Sequence, residues 1–294
     1  MSSTDLLSYT NNVTSEHGED GVIARIFEII GEGSRWCVDL GALNGVHGSN
    51  VWYLVKKRGW SGILIEADQT YFEKLCKEYS GNDKVRCVKS FVSFEGVDSL
   101  DSIFAKTDLP YTFDLFSLDI DGNEYHLWDS LHVYRPRVLV VEFNPTIPND
   151  VSFIQPRDMN VFQGSSLRAL VELGKRKGYE LVAANEFNAF FVLTELFPKF
   201  GISDNSIDIL HTDSKYQTKF FQLYDGTLRI AGYDKLLWHT VPISLEKLQV
   251  LPRRKRYYPA KIDGRKTVRS LKYWARKFPL YSLIQRLRGF IKKI

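Results

Sequence analysis

The chain has 294 residues, of which 44% are hydrophobic and 25% charged. This excludes global disorder and leaves room for one large α/β domain with additions, or two small domains. No apolar run approaches the ~20 residues of a membrane span. Net charge is +4, yet residues 252–294 carry fifteen Lys/Arg against one acid, Asp263, while residues 1–251 carry 24 basic and 34 acidic side chains. An acidic body is thus joined to a basic tail, and the two are read separately.

Residues 1–14 are polar and lack the basic-then-apolar pattern of a secretory leader. Helical spacing of Val22, Ile23, Ile26, Phe27 and Ile30 predicts a helix over 20–30. Short strands are predicted at 36–41, 62–67, 85–89, 114–119, 138–143 and 180–184, with a further strand at 190–194, and most of these are continuous apolar runs, as expected for strands buried on both faces. Helical patterns at 50–57, 70–79, 124–131 and 166–177 lie between them, with Ser165 and Ser166 as N-cap candidates and Gly178 as a C-cap. This alternation predicts an α/β fold, a doubly wound parallel sheet with helices on both faces. Residues 144–164, with Pro145, Pro148, Pro156 and Gly164, break the rhythm as a long loop, the kind that serves as a lid or substrate loop. The three cysteines, Cys37, Cys76 and Cys87, lack metal spacing and read as reduced thiols of a cytoplasmic protein.

Chemistry concentrates where predicted strands end. Val38-Asp39-Leu40-Gly41-Ala42-Leu43-Asn44-Gly45 places an acid and two glycines after the first strand. Asp-x-Gly-x-x-x-Gly is not the dinucleotide spacing G-x-G-x-x-G, which disfavours the alternative of an NAD(P)-dependent oxidoreductase. It suits S-adenosylmethionine, whose amino-acid end is cationic. Glu66 ends the next strand, where an acid can accept hydrogen bonds from both ribose hydroxyls of a nucleoside. Asp119 and Asp121 fall on one side of an extended chain, and Glu142 and Asn144 share a side at the end of the fifth strand. Convergence of these four is expected to form an acidic rim. Asp119, Asp121 and Glu142 are metal-ligand candidates for Mn²⁺ or Mg²⁺, Glu142 and Asn144 substrate ligands, and a general base is the alternative use of the carboxylates. His17, in the two-glycine loop 15–21, is a further catalytic candidate titrating near neutrality.

Together, 15–21 (SEHGEDG), 38–45 (VDLGALNG), 59–68 (GWSGILIEAD), 115–128 (LFSLDIDGNEYHLW) and Val141-Glu142-Phe143-Asn144 resemble the FkbM-like S-adenosylmethionine-dependent methyltransferases. The resemblance implies the class I methyltransferase fold: a seven-stranded Rossmann-like sheet, order 3-2-1-4-5-7-6, with the last strand antiparallel. It implies methyl transfer, usually to oxygen, often on sugars of surface polysaccharides or on secondary metabolites. By position it places Asp39, Gly41 and Gly45 around the methionine part of the cofactor, Glu66 at the ribose, Ser90 and Phe91 near adenine, and Asp119 near the sulfonium. Glu16 stands where many relatives carry Gln. The implied organisation is a methyltransferase domain over 1–210 with a loop insertion near 145–164. A segment 211–251 is expected to pack on it, followed by a basic tail, 252–294.

Within 265–294, Leu280, Leu283, Ile284, Leu287, Ile291 and Ile294 recur at helical spacing among ten Lys/Arg. A basic amphipathic helix of this kind suits an anionic membrane surface at the cytoplasmic face. Packing on the body or on a second copy is the other reading. Nucleic acid is disfavoured, because Asn144-Pro145-Thr146 lacks the second proline of base amino-methylation motifs. A non-catalytic membrane-surface protein that keeps the methyltransferase fold is the remaining alternative.

Overall fold

The computed structural model describes residues 5–212, 215–236 and 240–258. The chain divides into two compact units, Met1–Gln217 and Thr218–Ile294. The boundary falls later than the expected 210/211, because His211 and Gln217 are buried in the first unit, where Asn149 bonds both the ring and the carbonyl of His211. The predicted helix within 265–294 lies outside the described residues.

In the first unit, α1 (Glu19–Ile30) buries the apolar stripe read from its spacing. Then follow β1 (Trp36–Leu40), α2 (Trp52–Arg58), β2 (Ser61–Glu66), α3 (Gln69–Glu78) and β3 (Val85–Lys89). The short α4 (Leu100–Phe104) precedes β4 (Thr112–Leu118), α5 (Glu124–Ser130) and β5 (Arg135–Glu142). After a long irregular segment come α6 (Leu167–Lys177), β6 (Tyr179–Ala184), β7 (Asn188–Leu193) and α7 (Ile207–Leu210). Ser166 caps α6 by accepting the Ala169 N–H, and Gly178, with φ 79°, ends it, as the sequence predicts.

The strands form one sheet in the order β3-β2-β1-β4-β5-β7-β6. β7 runs antiparallel to both its neighbours, and the β3-to-β5 ladders are parallel. This is the class I methyltransferase arrangement. Side-chain alternation then sorts the apolar residues. Val38, Leu40, Ile63, Ile65, Phe116 and Leu118 face a core with α4, α5 and α6. Cys37, Leu64, Leu115 and Val140 face the other core, with α1, α2 and α3.

In the second unit, β8 (Thr218–Gln222) and β9 (Leu228–Gly232) form a hairpin, β10 (Lys235–Leu236) pairs with β11 (Val241–Pro242), and α8 (Leu245–Leu248) follows. The hairpin turn is made by Asp225, whose carboxylate accepts the Thr227 N–H, and by Gly226 at φ 86°. No helix among the described residues is long and apolar enough to cross a membrane.

Strand order reverses between β1 and β4, where open α/β sheets place their ligands. Gly41, at φ 87°, sits there against the chain leaving β4, and a Cβ on it would lie 1.9 Å from the Asp119 carbonyl oxygen. Gly31 also has positive φ (77°) but nothing within 4 Å of such a Cβ. Gly41→Ala is expected to cost well over ~3 kcal/mol in urea unfolding, and Gly31→Ala only the backbone strain of its φ 77°, ψ 150° conformation, about 1–3 kcal/mol.

Candidate active site

The carboxyl ends of four adjacent strands each deliver an acid to one rim: Glu66 from β2, Asp39 from β1, Asp119 directly after β4 and Glu142 from β5. Glu66 is held by the Leu43 N–H (2.8 Å) on one oxygen and the Asp68 N–H (2.7 Å) on the other. Each oxygen keeps a lone pair for a further donor. Asp68, the better helix cap by sequence, does cap α3. Asp39 accepts from Ser49 Oγ at 3.0 Å and from the Ser117 hydroxyl, which itself accepts from Asn50. Burial pushes the Asp39 carboxyl up to about 6, against the lowering effect of the two hydroxyls.

The Asp119 and Glu142 carboxyls act directly on each other, and two such groups repel unless one of them carries a proton. Burial, then the neighbouring Asp121, pushes Asp119 up to about 7, and burial and Asp119 push Glu142 well above the ordinary range. Glu124, at the start of α5, is buried behind them. One of its oxygens accepts the Ile120 and Gly122 N–H groups, while Oε2 has no hydrogen-bond partner among the described residues. Burial raises it to about 8. None of Asp39, Glu66, Asp119, Asp121, Glu124 or Glu142 has a Lys, Arg or His ion-pair partner among the described residues.

The expected metal triad does not form. β4 ends at Leu118 and Asp121 takes φ 61°, so the alternation that would aim Asp119 and Asp121 to one side is broken, and Asp121 is exposed. Among the described residues no group of three His, Cys, Asp or Glu is arranged to hold a metal ion.

Three segments border the rim. Asp20 Oδ2 accepts the N–H groups of Val13, Thr14 and Ser15 at 2.8–2.9 Å, which fixes the N-terminal loop. Glu19, fully buried, accepts from His17 N–H and from the Asn185 and Asn188 amides of the β6–β7 turn. His17 stacks on Phe187 (centroids 4.5 Å) and lies 3.4 Å from Glu186. The Phe187 carbonyl in turn accepts the Phe143 N–H beside Glu142, so this loop reaches the end of β5. The third segment is the loop after β5. Asn144, expected to bind substrate, is instead taken up by that loop: Nδ2 donates to the Gln163 carbonyl, and Oδ1 accepts from Thr146 N and Oγ1. Asn123 joins the loop to the β4–α5 turn by donating to the Asp158 and Val161 carbonyls.

After β3, Phe91 is 62% exposed, and the buried Ser90 Oγ has no hydrogen-bond partner among the described residues. Gly45 has a packing reason of its own: a Cβ there would lie 2.6 Å from Leu75 and Tyr79 of the α3 region. A cavity of about 580 Å³, lined by Phe94, Asp101, His126, Asp129 and Arg157 among others, includes none of the rim carboxylates. Glu19, Glu124, Asn185 and Asn188 were not legible as site residues. Only the acid-rich starts of α1 and α5 signalled the first two.

No protein-family model matches the sequence, and no curated protein matches it. Among solved structures, the N-terminal domain of EvdMO1, crystallised in the presence of SAH and D-fucose, is 14% identical over 59% of this chain and 80% of its own, at TM-score 0.40. A SAM-dependent methyltransferase from Aquifex aeolicus is 14% identical over 57% and 87%, at TM-score 0.37. The mitomycin 7-O-methyltransferase MmcR is 15% identical over 60% and 52%, at TM-score 0.36. At such scores the strand order, not the superposition, carries the fold.

Raised carboxyl pKa values have a thermodynamic sign. Asp39 and Asp119 bind protons more tightly folded than unfolded, so their contribution is full below about pH 4 and is lost as pH rises through about 6 and 7. Asp119→Asn is therefore expected to raise the Tm at pH 8 and to change it little at pH 4, each tenfold difference in proton affinity carrying about 1.4 kcal/mol. Thermal melts of both proteins between these pH values check this.

Proposed function

We propose that this chain is an S-adenosylmethionine-dependent methyltransferase whose acceptor is a hydroxyl oxygen on a sugar or sugar-like polyol. The observation that carries the reading is the acidic rim, whose carboxyls converge on the switch point of a class I methyltransferase sheet without a basic partner among the described residues. Carboxyl groups packed in this way hold their protons unless a cation arrives. The donor set fits a ligand with a cationic sulfur, an ammonium group and two ribose hydroxyls. The sugar class of the acceptor rests on the sequence resemblance to FkbM-like enzymes.

When bound, S-adenosylmethionine supplies an electrophilic methyl carbon. The residues of this chain do the rest. Glu66 accepts from the ribose hydroxyls with its two free lone pairs. Asp39 faces the cationic amino-acid end, and Phe91 and Ser90 border the base. The Asp119–Glu142 pair takes the acceptor's proton as the oxygen–carbon bond forms and the carbon–sulfur bond breaks, leaving a neutral thioether. An acid near 7 is well matched to this task at neutral pH. His17, fixed by Phe187 and Glu186, contributes to the wall on the acceptor side. Alignment of hydroxyl oxygen, methyl carbon and sulfur supplies much of the acceleration, which is why fixed bordering segments matter.

The test is transfer of labelled methyl from S-adenosylmethionine to a panel of nucleotide sugars and oligosaccharides. Glu142→Gln is expected to lower turnover about 100-fold or more, with affinity for S-adenosylhomocysteine nearly unchanged by calorimetry. Failure of the parent protein both to bind that product and to transfer methyl overturns the reading.

Glu66→Gln separates binding from chemistry. It removes charge-assisted hydrogen bonds of about 1.5–3 kcal/mol, so calorimetry is expected to show tenfold to hundredfold weaker binding of S-adenosylhomocysteine. The substitution keeps the shape of the side chain, and far-ultraviolet circular dichroism checks that the fold is intact.

A further inference from the structure

The second unit contrasts with the first in what it leaves uncovered. No residue of β8 or β9 is buried. Phe220 and Phe221 project to opposite faces of the hairpin and are each about half exposed, and Tyr224 beside its turn is 93% exposed. Leu236, Val241 and Val250 are exposed as well, Val250 by 76%. A two-stranded hairpin without a buried face is at best marginally stable by itself, and this many exposed large apolar side chains in one small unit point to an interaction surface.

Charge selects the partner. Residues 218–258 carry eight Lys/Arg and three Asp/Glu. The register sets Phe221 opposite Arg229 and Lys219 opposite Ala231, so one face of the hairpin presents Lys219, Phe221 and Arg229 together. Basic groups around aromatic side chains can meet either nucleic acid or an anionic bilayer. The aliphatic members decide between them, because Leu236, Val241 and Val250 cannot stack on bases but can enter a lipid interface. Tyrosine prefers that same boundary, where its ring is apolar and its hydroxyl wet.

We propose that the second unit is a peripheral membrane-docking module that seats one face of the β8–β9 hairpin on an anionic phospholipid surface, with Phe221 and the turn residue Tyr224 inserted and Lys219 and Arg229 at the headgroups. This surface is distinct from the predicted helix within 265–294, and the proposal does not depend on the methyltransferase reading. A docked enzyme would meet acceptors carried on lipids.

The test uses the full chain with vesicles of phosphatidylcholine alone or with phosphatidylserine added. The parent is expected to float with the anionic vesicles only, and to release them when salt is raised to about 0.5 M, where charges are screened within a few ångströms. The double variant Phe221→Ser, Tyr224→Ser is expected to bind at least tenfold more weakly. Because it can also disturb the hairpin, Phe221→Trp gives a second reading: its added emission is expected to shift to the blue on addition of anionic vesicles. Equal binding by parent and double variant, or vesicle binding without a shift at position 221, overturns the proposal and leaves the basic tail as the membrane contact. Binding to single-stranded RNA with none to vesicles overturns it in favour of nucleic acid.

Discussion

The first unit is organised around one close approach. The backbone leaving β1 at Gly41 presses on the carbonyl of Asp119 leaving β4, where no side chain fits. Gly41 and Ala42 both donate to the Ile65 carbonyl, and Asp119 N–H donates to the Leu40 carbonyl. The ends of β2, β1 and β4 are thus tied together by main chain alone. Glu66, Asp39 and Asp119 cannot move apart to relieve their repulsion. The cost of crowding them is carried by the two apolar cores on either side of the sheet, and a cation arriving at the rim recovers part of it. Stability and binding are therefore opposed at this rim, as is common where function needs an unfavourable local arrangement.

The bordering segments show a different economy. Each is held in part by a carboxylate or amide that gathers several polar groups, beside apolar contacts such as His17 on Phe187. Asp20 gathers three N–H groups of the N-terminal loop, and Glu19 joins that loop to the β6–β7 turn. Asp101 does the same farther away, accepting from His132, Val133 and Tyr134. Such contacts position irregular chain without filling the space a substrate needs.

The sheet was legible because most of its strands are buried on both faces and read as apolar runs, from Ile63 to Ile65 and from Val138 to Val141, whereas the edge strand β3 buries none of its residues. α4 was not, since five residues from Leu100 to Phe104 are too few to show a period. β8 and β9 escaped because their side chains alternate no burial. Asp39, Glu66, Asp119 and Glu142 were visible as acids closing apolar runs. Asp121 does lie close enough to act on Asp119 and Glu142, but not through strand alternation, which holds only while the chain stays extended, and φ at 121 is 61°. Gly45 and Asn144 show the other limit. The reason for each lies in a neighbour distant in sequence, Tyr79 for one and Gln163 for the other.

The loop after β5 leaves and rejoins the fold at nearly one point. Asn144 N–H donates to the Ser165 carbonyl and its side chain to the Gln163 carbonyl, while Ser166, the cap of α6, bonds Phe153 through both its N–H and its hydroxyl. With its base closed, the excursion between them is a cassette. Closing a longer loop costs only about 0.6 kcal/mol per doubling of length, so the stretches not tied to Asn123, His126 or His211 can change in length while Glu142 stays at the end of β5. Such changes would alter what borders the rim and leave its carboxylates where the strands put them.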